Sequence, residues 1–369
     1  MKDKQISSIQ LSSILLLMVI ASFSGIGIFS IVKASGIDAY LSIPIAGIIG
    51  ISYIFIYFYI AGYEPNLQFG EKIMKLFGNK IGFIINIIIS CLILTLGINV
   101  MFNLTNFIVS QFLPETPNYI VGILFAIIAI YANIKGVETI ARTSFILMIF
   151  MSLLYLTTVV GLMPGFDKSN LMPFLEYGIS RPFHGAFYIL TLNLASIFNL
   201  LVIPKNQIYD SKNFKKFILI FYLISIVALF IVVFLTLGNL GIHLASIYQY
   251  PEYIVLKRLQ MFDFIDRIEN ILTIQFIFGM YVSLCFGIYS VSNILKPHNK
   301  SKLLTIFLTV LILVISLTAF SNNTVFNNYT YNIVPYIRIA FIFAMFIIAL
   351  IIFIKRRLNK KTKKDYYIE

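Results

Sequence analysis

The sequence predicts an all-α polytopic membrane protein of about ten transmembrane helices, and three observations carry that prediction. Hydrophobic residues fill 59% of the 369 positions, charged residues only 12%, and the mean hydropathy is +0.92. A water-soluble domain of that composition would expose large contiguous apolar patches. Apolar stretches long enough to span a bilayer recur along the whole chain, separated by short loops that hold the charges and the Pro, Gly and Asn turns. Lys and Arg, finally, are rich in every second loop and poor in the others. Too little sequence remains between the spans for a soluble domain, so residues 1–369 read as a single transmembrane domain.

In chain order the spans fall at approximately 10–33, 40–63, 82–111, 118–134, 141–163, 183–204, 214–238, 268–295, 302–320 and 333–354. The first follows a basic start, as a signal peptide would. Leu11 to Val32 nevertheless exceeds the roughly 7–15-residue apolar region of such a peptide and lacks an A-x-A-like cleavage site, so it is expected to stay as a span. After the seventh span the loop 241–266 is long and mixed. Its apolar residues Ile254, Leu256, Leu259 and Phe262 alternate with Lys257, Arg258 and Asp263, which suggests a short amphipathic helix on the outer face, either a lid over a cavity or a cover for the bundle. The chain ends in a basic tail, 355–369, containing KRRLNKKTKK, which reads as an anchor on the positive side or as a contact for anionic lipid or a partner.

The charge pattern gives an orientation independent of hydropathy. One side holds Lys2 and Lys4; Lys72, Lys75 and Lys80; Lys135 and Arg142; Lys205, Lys212, Lys215 and Lys216; Lys296, Lys300 and Lys302; and seven more from Lys355 to Lys364. The other holds Lys33, Lys168, Arg181, Lys257, Arg258 and Arg267, with Arg338 left inside the last span. The split of 21 to 6 among these residues predicts a multi-pass protein of the cell membrane with both termini cytoplasmic. It also accounts for the net charge of +13, which in a soluble chain would suggest nucleic acid and here does not.

Catalysis and metal chemistry find no footing in the residues. Cys91 and Cys285 both fall within apolar spans and read as small core residues rather than a disulfide or a metal pair. His184 and His243 lie near the outer surface and His298 in a cytoplasmic loop, none with a partner at useful spacing. Asp263, Asp266, Arg267 and Glu269 cluster at the start of the eighth span as a surface network. No enzyme activity, cofactor or metal is expected, and the absence of mid-span acids argues against a proton relay.

Polar groups at bilayer depth are costly without a partner, so those near mid-span are the candidates for a ligand site. In the first span Ser22, Ser24, Gly25, Ile26 and Gly27 form a segment in which two glycines weaken the helix. An unwound segment there would line a cavity and point free N–H groups and a positive dipole end at a carboxylate; alternatively the glycines serve close helix packing. The sixth span sets Thr191, Asn193, Ser196 and Asn199 at similar depth, Asn193 and Ser196 sharing a face, and its residues include no central Gly or Pro to break it. Asn99 and Asn103 share a face of the third span, and Ser283 lies near the middle of the eighth. Each of these could instead be interhelical glue; their shared depth favours a small polar solute as ligand.

Several stretches, in order, resemble one family: SFSGIGIF in the first span, GVETIAR from Gly136 to Arg142, NLMPFLEYGI from Asn170 to Ile179, the Pro204 exit from the sixth span, and YPEYIVLKRLQMFDFIDRIE before the eighth. The chain is similar to the B subunits of endospore germinant receptors, the spore germination proteins. That resemblance covers nearly the whole chain. It implies distant kinship with amino acid–polyamine–organocation permeases, whose LeuT-like fold has two inverted five-helix repeats with broken first and sixth helices. It implies a nutrient-binding subunit in the spore inner membrane, with A-type and C-type receptor subunits as partners, a larger membrane subunit and a lipoprotein; the alternative it leaves is a secondary amino acid transporter. It makes Ser24, Gly25 and Gly27 contacts for a ligand carboxylate, and the stretch from Asn193 to Ser196 the contact for its ammonium. Family members often carry a Trp in the eighth span, where this chain has Gln275 and Phe276 and no Trp anywhere.

Overall fold

The computed structural model describes residues 5–23, 26–176, 178–258, 269–295 and 302–365, with side chains described for all but Ile26 and 359–365. Several sequence expectations therefore lie outside the described residues: Ser24 and Gly25, the segment from Leu259 through Phe262, Asp263, Asp266 and Arg267, His298, and the side chains of most of the basic tail.

The described chain is helical throughout. Eight helical segments are long and apolar enough to cross a membrane, and Ser8–Phe23 and Lys302–Thr318 are shorter apolar helices. The stretch 10–33 is taken up by α1 (Ser8–Phe23) and α2 (Ile26–Ser35), and 40–63 by α3 (Ala39–Ala61). A short helix, α4 (Phe69–Phe77), then precedes α5 (Asn79–Gln111), α6 (Asn118–Lys135) and α7 (Val137–Leu162), which complete the first half. The second half runs through α8 (Ser180–Asn199), α9 (Phe214–Ile247), the short α10 (Pro251–Arg258), α11 (Glu269–Leu295), α12 (Lys302–Thr318), the short α13 (Asn323–Asn332) and α14 (Val334–Asp365).

Burial sorts these helices into an inner group and an outer wall. In the apolar stretch of α8, 78% of residues are buried, and in that of α11, 67%, against 22% in α7. The exposed faces are apolar: Ile123, Leu124 and Ile127 on α6, Ile146, Leu153 and Leu156 on α7, Phe307 and Val310 on α12, Phe343 and Leu350 on α14. Such faces suit lipid, where exposed aliphatic surface carries no penalty. Helix α1 runs through the middle, packed on α7, α8, α9 and α11. A Cβ at Gly279 of α11 would sit 2.8 Å from the Ala21 Cβ, so the missing side chain is what lets α1 and α11 approach.

The first described residues and the described end of α14 near Lys355 lie at one end of the bundle. There Asp210 caps α1, its Oδ1 accepting from the Ser8 N–H at 2.6 Å, and Ile6 exchanges backbone hydrogen bonds with Gln207 and Tyr209 beyond the Pro204 turn. At the same end Lys355 and Arg356 of α14 donate to the carbonyls of Lys75 and Gly62, at 3.3 and 2.8 Å. Helix α4 lies across this end, packed on α5 and α11, with the Glu71 carboxylate capping the Gln68 N–H at 2.8 Å.

Two features differ from expectation. The sixth span does not break as the permease resemblance implies: α8 runs continuously to Asn199 and passes into a 3-10 turn over Leu200–Val202. Between Gly185 in its first turns and Pro204 at its exit it has no Gly or Pro, so nothing interrupts its hydrogen-bond ladder at mid-span. The loop after the seventh span carries α10 over Pro251–Arg258, with Tyr253, Val255 and Leu256 buried against the bundle, and the rest of its expected amphipathic stretch, from Leu259 on, lies outside the described residues. Helix α9 also extends past its predicted end and kinks at Gly241, whose φ of 66° only glycine adopts readily.

Candidate ligand-binding site

Inside the bundle α1, α2, α5, α8, α11, α13 and α14 enclose a cavity with about 850 Å³ of atom-free space, its mouth included. The helices supply polar groups because each turns one polar stripe inward. Ser22 comes from α1, Gly27 and Ser30 from α2, Asn99 and Asn103, one turn apart, from α5. Helix α8 gives Tyr188, Thr191, Ser196 and Asn199, α11 gives Ser283, and α13 and α14 give Thr330 and Arg338. Met18, Leu96, Leu192, Met280 and Phe326 fill the spaces between them.

Of the residues singled out in the sequence, Ser22, Gly27, Asn99, Asn103, Ser196 and Ser283 thus line one cavity. Asn193 does not: it is 1% exposed, turned off the cavity wall, and neither side-chain atom has a hydrogen-bond partner. Ser24 and Gly25 lie outside the described residues, as does the side chain of Ile26. At Gly27 a Cβ would stand 2.6 Å from the Ser22 carbonyl oxygen. That oxygen belongs to backbone, so only glycine fits where the end of α1 meets the start of α2.

The polar groups differ in how far the protein satisfies them. Ser22 donates to the Val19 carbonyl at 2.8 Å, Thr191 to Tyr188 at 2.8 Å and Ser283 to Gly279 at 3.0 Å, the usual way a hydroxyl is quieted within its own helix. Asn103 accepts from the Tyr250 hydroxyl at 3.1 Å, which itself receives Asn106 and Gln249. Asn99, by contrast, has no partner at Nδ2 or Oδ1, nor do Asn199 at Oδ1, Thr330 at Oγ1 and Arg338 at Nε and Nη1. Buried polar atoms are normally hydrogen-bonded, so a group of them around one cavity marks a place built to meet a polar solute. Among the described residues no cluster of His, Cys, Asp or Glu could hold a metal ion.

Sequence reasoning passed over Arg338, which it counted only as a charge left inside the last span. A charge at that depth was itself the signal. Thr191 and Asn199 were placed at the right depth but not selected. Ser30, Tyr188 and Thr330 gave no signal, because Thr330 sits in a segment that reads as loop and the other two are single polar groups in an amphipathic pattern.

Comparison with known proteins agrees with this architecture. The family described as "Spore germination protein" matches residues 5–325. Spore germination protein XB of Bacillus anthracis is 24% identical over 284 residues, covering 76% of this chain and 79% of the relative. Spore germination protein KB of Bacillus subtilis (strain 168) is 24% identical over 298 residues, covering 78% and 79%. Among solved structures, Mhp1, a nucleobase-cation-symport-1 family transporter solved in a closed conformation with bromovinylhydantoin bound, superposes with a TM-score of 0.65 at 13% identity over 89% of this chain and 75% of that one. The fold is therefore that of a permease-type, LeuT-like membrane protein, and the chain, matched by one family over most of its length, belongs to the spore germination protein family.

Proposed function

We propose that this chain is the membrane subunit of a spore germinant receptor, which binds a small nutrient, an amino acid foremost, in the cavity between α1, α5, α8, α11 and α14 and passes a conformational signal to A-type and C-type partner subunits. The observation that carries the reading is the set of unpartnered buried polar groups of Asn99, Asn199, Thr330 and Arg338 around one cavity in a spore germination family member. The cavity reaches the end of the bundle that holds α13, away from the termini. With both termini cytoplasmic, as the alternation of basic loops supports, that end faces outward, where a nutrient arrives. Signalling requires the ligand to bind two states of the bundle with different affinity, since only that difference moves the equilibrium. Purified chain, alone and with partner subunits, should show saturable binding of at least one member of a nutrient panel; no binding across the panel removes the sensor reading.

A second reading, a secondary transporter, is favoured by the likeness to a transporter fold. Proteoliposomes containing the chain separate the two. A sensor binds solute without accumulating it, whereas a transporter concentrates it in the lumen against an imposed gradient.

A further inference from the structure

We propose that Arg338 is the anchor for a carboxylate of the ligand, so that the cavity selects small carboxylates over their uncharged analogues. The inference rests on the cavity being the nutrient site and adds which group reads the nutrient's charge. Arg338 sits one turn into α14, 8% exposed, with its side chain on the cavity wall. Its Nε and Nη1 have no hydrogen-bond partner, and no ion pair reaches it among the described residues. The titratable group acting on it is the phenol of Tyr329, and no Asp or Glu appears among the described lining residues.

A guanidinium stays charged under all ordinary conditions, and a buried charge without a counter-charge is among the costliest groups a bundle can hold. Its planar fork of donors matches a carboxylate with two parallel hydrogen bonds. The geometry distinguishes a solute from a lipid headgroup. Tyr336 and Ile339, on either side of Arg338 in α14, are 67% and 38% exposed on the outer wall, whereas Arg338 is buried and turned to the cavity. One cation and no anion among the described residues of the wall suit one carboxylate. The free Oδ1 atoms of Asn99 and Asn199 can accept from an ammonium, so an α-amino acid also finds its second charge solvated. A helix break at Ser24–Gly27, where the sequence alone places the carboxylate, would offer at most the partial charge of a helix end, and Arg338 offers a full one.

The test pairs acids with their amides on the full-length chain in nanodiscs, by isothermal titration calorimetry. The probes are L-alanine, L-valine, L-leucine, L-proline and L-asparagine, each beside its α-carboxamide, with L-lactate, glucose and adenosine. The wild-type chain should bind at least one acid roughly 10- to 100-fold more tightly than its amide, the range expected for a charge-assisted pair. Arg338→Gln should erase that preference by weakening the acid, and Arg338→Lys should keep part of it. Equal affinity for acid and amide in the wild-type chain overturns the assignment without needing a variant, as does undiminished acid binding by Arg338→Gln. Binding of glucose or adenosine alone overturns the anchor but keeps the cavity as a binding site. Failure of every probe overturns both.

Discussion

Among its described residues the protein buries two cations, Lys72 and Arg338, and handles them in opposite ways. Lys72 is 3% exposed on α4, at the end of the bundle that holds the termini, and its Nζ donates to the Ala61 carbonyl at 3.1 Å. That carbonyl is among the last of α3, where a positive charge complements the helix dipole and satisfies an acceptor the helix leaves open. Arg338, 8% exposed, lies inside a span and has no such partner at Nε or Nη1. Burial alone therefore does not separate structure from function here. Partnership does: the lysine closes a helix end, and the arginine faces a cavity with its Nε and Nη1 donors unused.

The largest expected effects test that contrast directly, because removing the two cations should move stability in opposite directions. Lys72→Ala deletes a buried stem and uncaps α3, and should lower stability by about 2–4 kcal/mol. Arg338→Met removes a charge the ligand-free fold does not neutralise, and should leave stability unchanged or raise it by about 1 kcal/mol or more. A thiol-reactive dye reports both unfolding curves, since Cys285 is buried and Cys91, which is exposed, can be replaced by Ser. An Arg338→Met variant that loses as much as Lys72→Ala would make Arg338 a structural residue and end the distinction.

A smaller effect follows from pH. Burial pushes the Lys72 ammonium down to about 8 from its ordinary 10.5, with Glu64 opposing. The unfolded chain thus holds this proton across a window in which the folded chain has released it. Stability contributed by this site should rise with pH between about 8 and 10.5, by on the order of 1–3 kcal/mol, and be flat below. Unfolding curves across that window for wild type and Lys72→Met give the difference; parallel curves would mean that the ammonium is better solvated than its burial implies.

The fold was largely legible in the sequence because bilayer thickness and backbone hydrogen bonding leave a helical bundle little choice once composition is known. What escaped notice were elements that do not span. Helix α13 reads as an Asn- and Tyr-rich loop yet supplies Phe326 and Thr330 to the cavity, and α4 gains its order from packing, Gly70 lying so close to the Ile294 carbonyl that a Cβ would stand 2.5 Å away. The site was legible at the level of helix faces: Asn99, Asn103, Ser196 and Ser283 converge because one polar stripe per helix must face inward. Asn193 shows the limit. Three residues from Ser196, it is close enough in angle to be assigned the same face, but α8 is buried on nearly all sides, and a helix surrounded by protein has more than one inward face. Arg338 was missed for a different reason, since a count of loop charges sets aside the residue that belongs to no loop.

The smallest effects belong to the neutral counterpart of the two cations, the pair Asn99 and Asn103 on α5. Both are 6% exposed and both line the cavity, yet only Asn103 is bonded, through its Oδ1 to the Tyr250 hydroxyl. Asn103→Leu strands that hydroxyl proton among Phe107, Phe276 and the bundle interior, and should cost about 1–2 kcal/mol. Asn99→Leu strands nothing, because no protein group depends on its amide, and exchanging an unbonded amide for an apolar group of similar size should be near neutral for stability. The same change should weaken solute binding, since the cavity loses an acceptor and a donor that no other group of the wall duplicates in place. Stability curves and a binding isotherm on each variant decide the matter: if Asn99→Leu unfolds as early as Asn103→Leu, Asn99 is packing the bundle, and its open hydrogen bonds say nothing about a ligand.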